Sequence, residues 1–365
     1  MNRFVNSLTI IFTIIPAFLL ICSVATAYIN PSHLHIFTFA GFLFPVLWIV
    51  NLIILLWLVS RKNMLLLITL LVLALSWDHW QNTFQFNSSS RELQNLKEPV
   101  KVMSYNTRMF DFYNHSGKEG APEKIFDFII QQNPDIICFQ EYFTSLRKEE
   151  YTPTAIKARF RQYGYKYIEY LKTHKGGTGY GLAIFSKHPI TNKNAIRFEN
   201  SLNLSSYADI DINGKRVRVF NNHLESIGFQ DHELSYLDSL DFRMSESQKE
   251  GLRNISDKLT RAFNSRSKQA ETISRHINNS PYPVIVCGDF NDTPVSYVYR
   301  TVRQDLKDAF RESGSGFGGT YNGKLPSFRI DYIFHSPQFK SYNFSRFKLG
   351  YSDHFPIMTT IDIKN

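Results

Sequence analysis

An α+β sandwich preceded by a membrane-spanning helical region is the architecture this 365-residue sequence predicts. Three observations carry the prediction. The first hundred residues hold two long runs without a charged residue; beyond residue 100 many short β-leaning runs alternate with few helical ones; and Asn213-Gly214 between two such runs marks an antiparallel hairpin. Strands joined by tight turns are antiparallel, because a parallel connection needs a crossover, so a doubly wound parallel sheet is excluded.

The apolar runs come first. Residues 4–29 and 31–60 contain no Asp, Glu, Lys or Arg, and each exceeds the roughly 20 residues that cross a bilayer. Residues 63–77 form a shorter third run, between the lengths of a span and of a buried helix, with Trp77 and Trp80 at the position indoles take at a membrane interface. Arg3 precedes the first run and Arg61-Lys62 follow the second, whereas residues 28–35 carry no Lys or Arg. The positive-inside rule then places the N-terminus in the cytoplasm and, with three spans, everything after Trp80 outside it. Ala25-Thr26-Ala27 also fits a signal-peptide cleavage site, and removal of residues 1–27 would leave the same side for the rest. The expected division is a membrane region over 1–80, a polar juxtamembrane linker over 81–99 and a catalytic domain over 100–365.

In the soluble part, residues 100–104 read as a strand, 123–132 as a helix with Ile125, Phe126, Ile129 and Ile130 on one face, and 135–139 as a second strand. Asn133-Pro134 ends the helix. Further strands are expected at 165–170, 181–186, 208–212, 216–221, 284–287, 329–335 and 358–363. About 40 residues after position 223 precede a helix expected near Lys268. Within them Leu252, Ile255, Leu259 and Phe263 share one helical face, either docked on the domain or serving as a membrane-contacting lid. The apolar stretch of Ile227, Phe229, Leu234, Tyr236, Leu237, Leu240 and Phe242 keeps the lid open as an alternative. Residues 172–181, with four glycines around Lys172, His174 and Lys175, read as a hairpin tip or a phosphate contact.

Cys22 lies in the first apolar run and Cys138 and Cys287 in strand-like runs, which excludes a disulfide framework. The chain has 41 Lys and Arg against 32 Asp and Glu; residues 1–99 hold five and three of these, leaving +7 for the remainder. That charge suits an anionic substrate or a position near anionic lipid heads.

Five fragments carry the chemistry: Ser104-Tyr105-Asn106, Gln140-Glu141, Asn222-His223-Leu224, Gly288-Asp289-Phe290-Asn291 and Ser352-Asp353-His354. Each ends a strand-like run, so carboxylates, amides and imidazoles from distant segments can meet at one sheet edge, a layout that hard-cation chemistry requires. Glu141 alone reads as a loop acid; Asn106 at the end of the neighbouring run can orient it or bind a cation itself. Asp289 and Asn291, two apart, project to one side if extended and form an Asx turn if not. Asp331 alternates with apolar neighbours and needs a partner, for which His354 is the candidate: such a pair fixes the ring tautomer and raises its basicity. A lone His223 would be a structural hydrogen-bonder, but here it completes the set.

This ordered set resembles the endonuclease/exonuclease/phosphatase superfamily over residues 100–365, about three quarters of the chain. The resemblance implies a four-layered α/β/β/α sandwich of two mostly antiparallel sheets, and a metal-dependent phosphoric ester hydrolase, nuclease or phosphodiesterase or phosphatase. It assigns Asn106, Glu141 and Asp353 to a Mg²⁺ site, with Mn²⁺ as the alternative ion. It gives Asp289 and Asn291 to the nucleophilic water and the phosphate, and His354 with Asp331 to acid–base or phosphate-stabilising work. His223 resembles the secreted-nuclease, sphingomyelinase, inositol-phosphatase and deadenylase-like branches, since abasic-site endonucleases typically carry a tyrosine-containing motif there. The expected partners are a phosphate-ester substrate, either nucleic acid or phospholipid, and the bilayer through the N-terminal helices, with no protein partner. The alternative is a catalytically silent binding protein on the same fold at the membrane surface.

Overall fold

The computed structural model describes residues 3–33, 40–87, 96–174, 177–228, 246–323 and 326–364. The helices α1 (Arg3–Ala25), α2 (Phe44–Ser60), α3 (Leu66–Leu75) and α4 (Trp77–Thr83) open the described part of the chain. Within α1, Ser7–Ala25 is long and apolar enough to cross a membrane; α2 and α3 are apolar but shorter, at 17 and 10 residues. A seam of Ala17, Leu20, Phe44, Trp48, Val72 and Leu73 joins them, and Asn51 Nδ2 of α2 donates to Pro16 O of α1 at 3.0 Å. Outside that seam the helices expose Phe12, Phe18, Ile53, Leu56 and Leu71, an apolar belt that water would not solvate favourably. The third apolar run, 63–77, holds α3, which ends at Ser76 (φ −92°, ψ 0°), whose hydroxyl donates to Leu73 O at 3.1 Å, and α4 follows.

The chain after α4 builds two six-stranded sheets. In chain order the strands are β1 (Gln85–Phe86), β2 (Pro99–Asn106), β3 (Ile136–Thr144), β4 (Tyr165–His174), β5 (Thr178–Ser186), β6 (Ile190–Arg197), β7 (Leu204–Ile212) and β8 (Lys215–His223), followed by β9 (Val284–Asp289), β10 (Lys307–Asp308), β11 (Ser315–Gly316), β12 (Asp331–His335), β13 (Lys340–Arg346) and β14 (Ile357–Asp362). One sheet runs β13-β14-β2-β3-β5-β4 and the other β10-β12-β9-β8-β7-β6. Each holds a single parallel pair, β2 with β3 and β8 with β9; the other pairings are antiparallel, as expected. The Asn213-Gly214 turn joins β7 to β8 with both residues at positive φ (52° and 85°), the type I′ geometry that matches strand twist.

Three apolar clusters make four layers. Val102, Ile136, Cys138, Val219, Ile285, Cys287 and Ile333 lie between the sheets. On the outer face of the first sheet, Met103, Tyr105, Ile137 and Phe139 meet α5 (Ala121–Gln132) and α6 (Pro153–Arg159) through Ile125, Phe126, Ile129 and Ile156. The second sheet's outer face, with Phe220, Val286, Tyr332 and Phe334, is covered by α7 (Glu246–Asn278) and α8 (Tyr297–Arg303). Strand parity explains which residues can form a site: Val102, Cys138, Val219, Cys287 and Ile333 point between the sheets, so Asn106, Gln140, His223, Asp289 and Asp331 inherit that direction.

Several expected boundaries shift. The insert helix and the helix expected near Lys268 are one 33-residue helix, α7, because its apolar positions continue unbroken through Ala270, Ile273 and Ile277. Residues 81–87, expected in the linker, finish α4 and form β1, which pairs with β11 through Gln85↔Gly316. Phe84 packs on Trp80 and Phe317 there, and that burial overrides the polar character of the segment. Residues 88–95 lie outside the described residues, as do Phe229, Leu234, Tyr236, Leu237, Leu240 and Phe242 of the apolar stretch, Lys175, and the side chain of His174.

The helical region is joined to the sandwich by polar contacts, those of Thr26 and Arg329 buried. Thr26 Oγ1 donates to Val295 O at 2.8 Å, and Gly41 fits against both: a Cβ there would stand 2.9 Å from each oxygen. Arg329 donates to Asn82 O at 2.7 Å and to Asp308 Oδ2 at 2.8 Å, while Arg311 reaches Asp78, Gln81 and Asn82.

Candidate active site

The site sits where the space between the sheets opens at the ends of β2, β8 and β9. Its floor is polar: Gln140 Nε2 donates to Asn221 Oδ1 at 2.6 Å across the sandwich, and Asn221 Nδ2 donates to Phe139 O and Ala183 O. These bonds pair the Asn221 amide and the Gln140 nitrogen, which would otherwise be costly to bury, and tie the two sheets together at the mouth.

Glu141 was expected just past a strand end. It lies instead inside β3, in a bulge between Phe139 and Tyr142, at φ 52°. The bulge breaks the alternation, so Gln140 serves the floor while Glu141 faces the site. Asn106 Nδ2 lies 3.5 Å from Glu141 Oε1 and 3.0 Å from Asp289 Oδ2. Burial, with the neighbouring Asp353 charge second, pushes the Glu141 carboxyl up to about 7.

Asp289 closes β9, paired in register with His223 on one side and Asp331 on the other. Gly288 precedes it at φ 145°, and a Cβ there would stand 2.1 Å from Asn222 O, so only glycine lets β8 and β9 approach this closely. The following turn is an Asx turn, not an extended segment: Asn291 N donates to Asp289 Oδ1 at 2.9 Å with Asn291 at φ 53°. That turn still brings Asn291 Nδ2 to 3.3 Å from Asp289 Oδ2. His354 Nε2 and His223 Nε2 lie 3.6 Å and 3.7 Å from the same oxygen. One carboxylate oxygen thus has four nitrogens from four chain segments around it. Burial shifts the Asp289 carboxyl upward against the pull of both histidines.

His354 Nδ1 is 2.9 Å from Asp331 Oδ2, and Asp331 N accepts support from Thr320 by donating to its Oγ1 at 3.1 Å. Burial opposes a charge on this ring, yet Asp331 and Asp289 outweigh it and raise it well above the ordinary histidine range. Burial dominates at His223 and lowers it. Ser352 Oγ donates to Asn106 O at 2.8 Å and accepts from His354 N at 3.1 Å, which ties the last fragment to the end of β2.

All eight expected residues therefore meet at one mouth. Among the described residues, Asp289, Asp331 and His354 form the grouping of three acid or imidazole ligand atoms within 4.8 Å of one another. In that grouping the Asp331–His354 bond already occupies one ring nitrogen. Asp353 instead meets Arg108 Nε at 3.5 Å. Arg108 and Tyr321 were not anticipated. Arg108 opens a run of left-handed residues, 108–111 with φ from 47° to 59°, fixed by the buried Phe110 ring against Phe126 and Phe139. Strain of this kind concentrates at functional sites, but only its proximity to Asn106, whose Oδ1 accepts from Arg108 N, was visible beforehand. Tyr321 pairs with His354 as a β-bridge from a loop that carries no sequence signal.

Two grooves leave the mouth and share Glu141 and His223. One, of about 530 Å³, passes Tyr113, Phe143, Lys172 and Asn203. The other, of about 620 Å³, passes Asp289, Asn291, Asp353 and His354 towards α7 and Phe42.

Residues 103–354 match the Endonuclease/Exonuclease/phosphatase family. The chain belongs to that family. Its members are metal-dependent phosphoesterases and nucleases, enzymes that generally use divalent ions. The family's fold recurs in solved structures. A family protein from Beutenbergia cavernae DSM 12333 superposes with a TM-score of 0.53 at 17% identity, over 74% of this chain and 72% of that one. One from Bacteroides vulgatus gives 0.52 at 18% identity, over 73% and 100%. One from Bacteroides thetaiotaomicron gives 0.50 at 19%, over 72% and 97%. Residues 4–83, outside the family's domain, match a Domain of unknown function (DUF8431). No curated protein sequence matches the chain.

Proposed function

We propose that this chain is a membrane-anchored, Mg²⁺-dependent phosphoesterase that cleaves phosphodiester or phosphomonoester bonds by attack of water. Residues 1–80 form the membrane region and 100–365 the catalytic domain. The observation that carries the reading is the convergence of Asn106, Asn291, His223 and His354 nitrogens on Asp289 Oδ2. A carboxylate so placed, and raised by burial, accepts a proton from water, while flanking amides and imidazoles hold phosphoryl oxygens.

The donor set fits a hard cation. Glu141 and Asp353 bring two carboxyl groups to the mouth with the Asn106 amide, oxygen donors of the kind a hard cation takes, and burial, with the Asp353 charge second, raises Glu141. Asn106, Glu141 and Asp353 would hold the ion. When bound, it supplies Lewis-acid charge that polarises the phosphoryl group.

The remaining work falls to the protein. Asp289 takes one proton from the attacking water as the new P–O bond forms, and Asn291 keeps that carboxylate turned to the site. His354, charged through Asp331, donates to a phosphoryl oxygen or to the leaving oxygen as the old P–O bond breaks. His223, its charge disfavoured by burial, serves as a neutral donor.

Three features support the membrane reading: α1 is long enough to span, α2 and α3 pack on it behind an exposed apolar belt, and Thr26, Gly41 and Asn82 meet the sandwich at one end. Arg61 and Lys62, between α2 and α3, belong to the opposite end, so the positive-inside rule puts the catalytic domain outside the cytoplasm. The test is hydrolysis of bis(4-nitrophenyl) phosphate by the full chain in detergent. Mg²⁺-dependent turnover that collapses in Asp289→Asn and His354→Ala is expected; turnover unchanged in both variants would refute the site.

A further inference from the structure

Resting on that phosphoesterase reading, we infer that the substrate is a phosphoester borne on a long hydrocarbon chain, which lies in the groove between the helical region and α7. The groove joins polar and apolar walls. Its lining is of two kinds, the catalytic Asp289 and His354 on the one hand and the apolar Phe42, Leu252, Ile255, Leu259, Ile227 and Phe328 on the other. Its volume, about 620 Å³, falls within the range of roughly 300–1,000 Å³ typical of sites that enclose small ligands.

The apolar wall is continuous with the helices that carry the exposed apolar belt. Phe42 stands just before α2, with its ring 5.2 Å from Phe328 and 6.1 Å from Phe263 of α7. Beside it, Gly41 is wedged against Thr26 at the end of α1 and against Val295 of the sandwich. The membrane-facing module therefore completes the site with a side chain of its own. A chain leaving the bilayer along these helices meets the apolar wall first and brings its phosphoester to Asp289.

The charge pattern of this groove favours such a substrate over nucleic acid. Polynucleotide binding depends on Lys and Arg neutralising successive phosphates. Among the described residues lining the groove there is no Lys or Arg. Leu252 and Leu259 are half-buried on α7, so the wall is open to a ligand and not sealed into the core.

The test is a series of alkyl 4-nitrophenyl phosphate diesters, from methyl to dodecyl, presented to the full chain in detergent with Mg²⁺. Each buried methylene is worth roughly fourfold in binding, so kcat/KM should rise at least tenfold from methyl to octyl and flatten once the groove is filled. In Leu252→Asp combined with Leu259→Asp the octyl-to-methyl ratio should fall at least tenfold, while the paired Met variants should keep it. Because it is a ratio, it is insensitive to the fraction of folded protein. Turnover of the methyl ester with no rise along the series, or a single-stranded oligonucleotide cleaved faster than the octyl ester, overturns the inference and leaves the phosphoesterase reading standing. Turnover of none of these esters removes that reading and the inference with it.

Discussion

Asp331 and Asp289 face each other in register across β12 and β9, and His354 is held between them, with Nδ1 2.9 Å from Asp331 and Nε2 3.6 Å from Asp289. One carboxylate fixes the ring and the other shares its working face. Two acids in equivalent backbone positions thus take different roles, because only Asp331 has the hydrogen-bonded ring nitrogen.

Asp331→Asn keeps the shape of that contact and removes its charge. kcat should fall by roughly a hundredfold or more with KM little changed, as for loss of an oriented acid–base group. Since Asp331 raises His354, the alkaline limb of the pH–rate profile should move to lower pH. An unmoved profile would make Asp331 a packing residue only.

Glu141 sets a pH dependence for metal binding. Its carboxyl, at about 7, keeps its proton below that pH in metal-free protein, and Mg²⁺ must displace it. Affinity should therefore fall about tenfold per pH unit below 7, with close to one proton released on binding at pH 6 and almost none at pH 8.5. Calorimetry in two buffers of different ionisation enthalpy reads this directly. The stability sign follows: a carboxyl raised in the fold stabilises metal-free protein at acid pH, and that contribution is lost as pH rises through about 7.

Gly288→Ala forces a methyl group against Asn222 O. Strain and overpacking together should cost roughly 2–4 kcal/mol, a Tm drop of about 5–10 °C. A thermal melt of the full chain within 2 °C or so of the parent would show that β8 and β9 can separate at no such cost.

Arg329 is buried between Asp308 and Asn82 O, where it links the sandwich to α4. Arg329→Met fills the space but leaves Asp308 buried beside the Tyr299 hydroxyl and the Phe310 N–H, which should destabilise the protein by roughly 3 kcal/mol. The helical region should then become more accessible to protease. Unchanged proteolysis would mean that Thr26, Gly41 and Arg311 suffice to hold it.

The membrane reading has its own test. The full chain should stay in the membrane fraction after alkaline washing, and an alkaline phosphatase fused to the C-terminus should be active outside the cytoplasm. Release by washing would refute the anchor.

Local chemistry made much of this protein legible in one dimension. Apolar, β-leaning runs located β2, β3, β8, β9 and β14, and the polar residues flanking those runs, Asn106, His223, Asp289 and His354, stood out because amides, carboxylates and imidazoles at strand ends can meet around a hard cation. Asn213-Gly214 announced its own turn, since positive φ at both positions is a property of those two residues. Long-range packing decided the rest. The bulge that turns Glu141 into the site depends on both neighbours of β3, the approach of Arg108 to Asp353 spans most of the chain, and α7 is one helix because the sheet beneath it offers one continuous apolar face. Phe42 comes to line the groove through contacts among α1, α2 and the sandwich, and such contacts are a property of the folded surface and leave no period in the sequence.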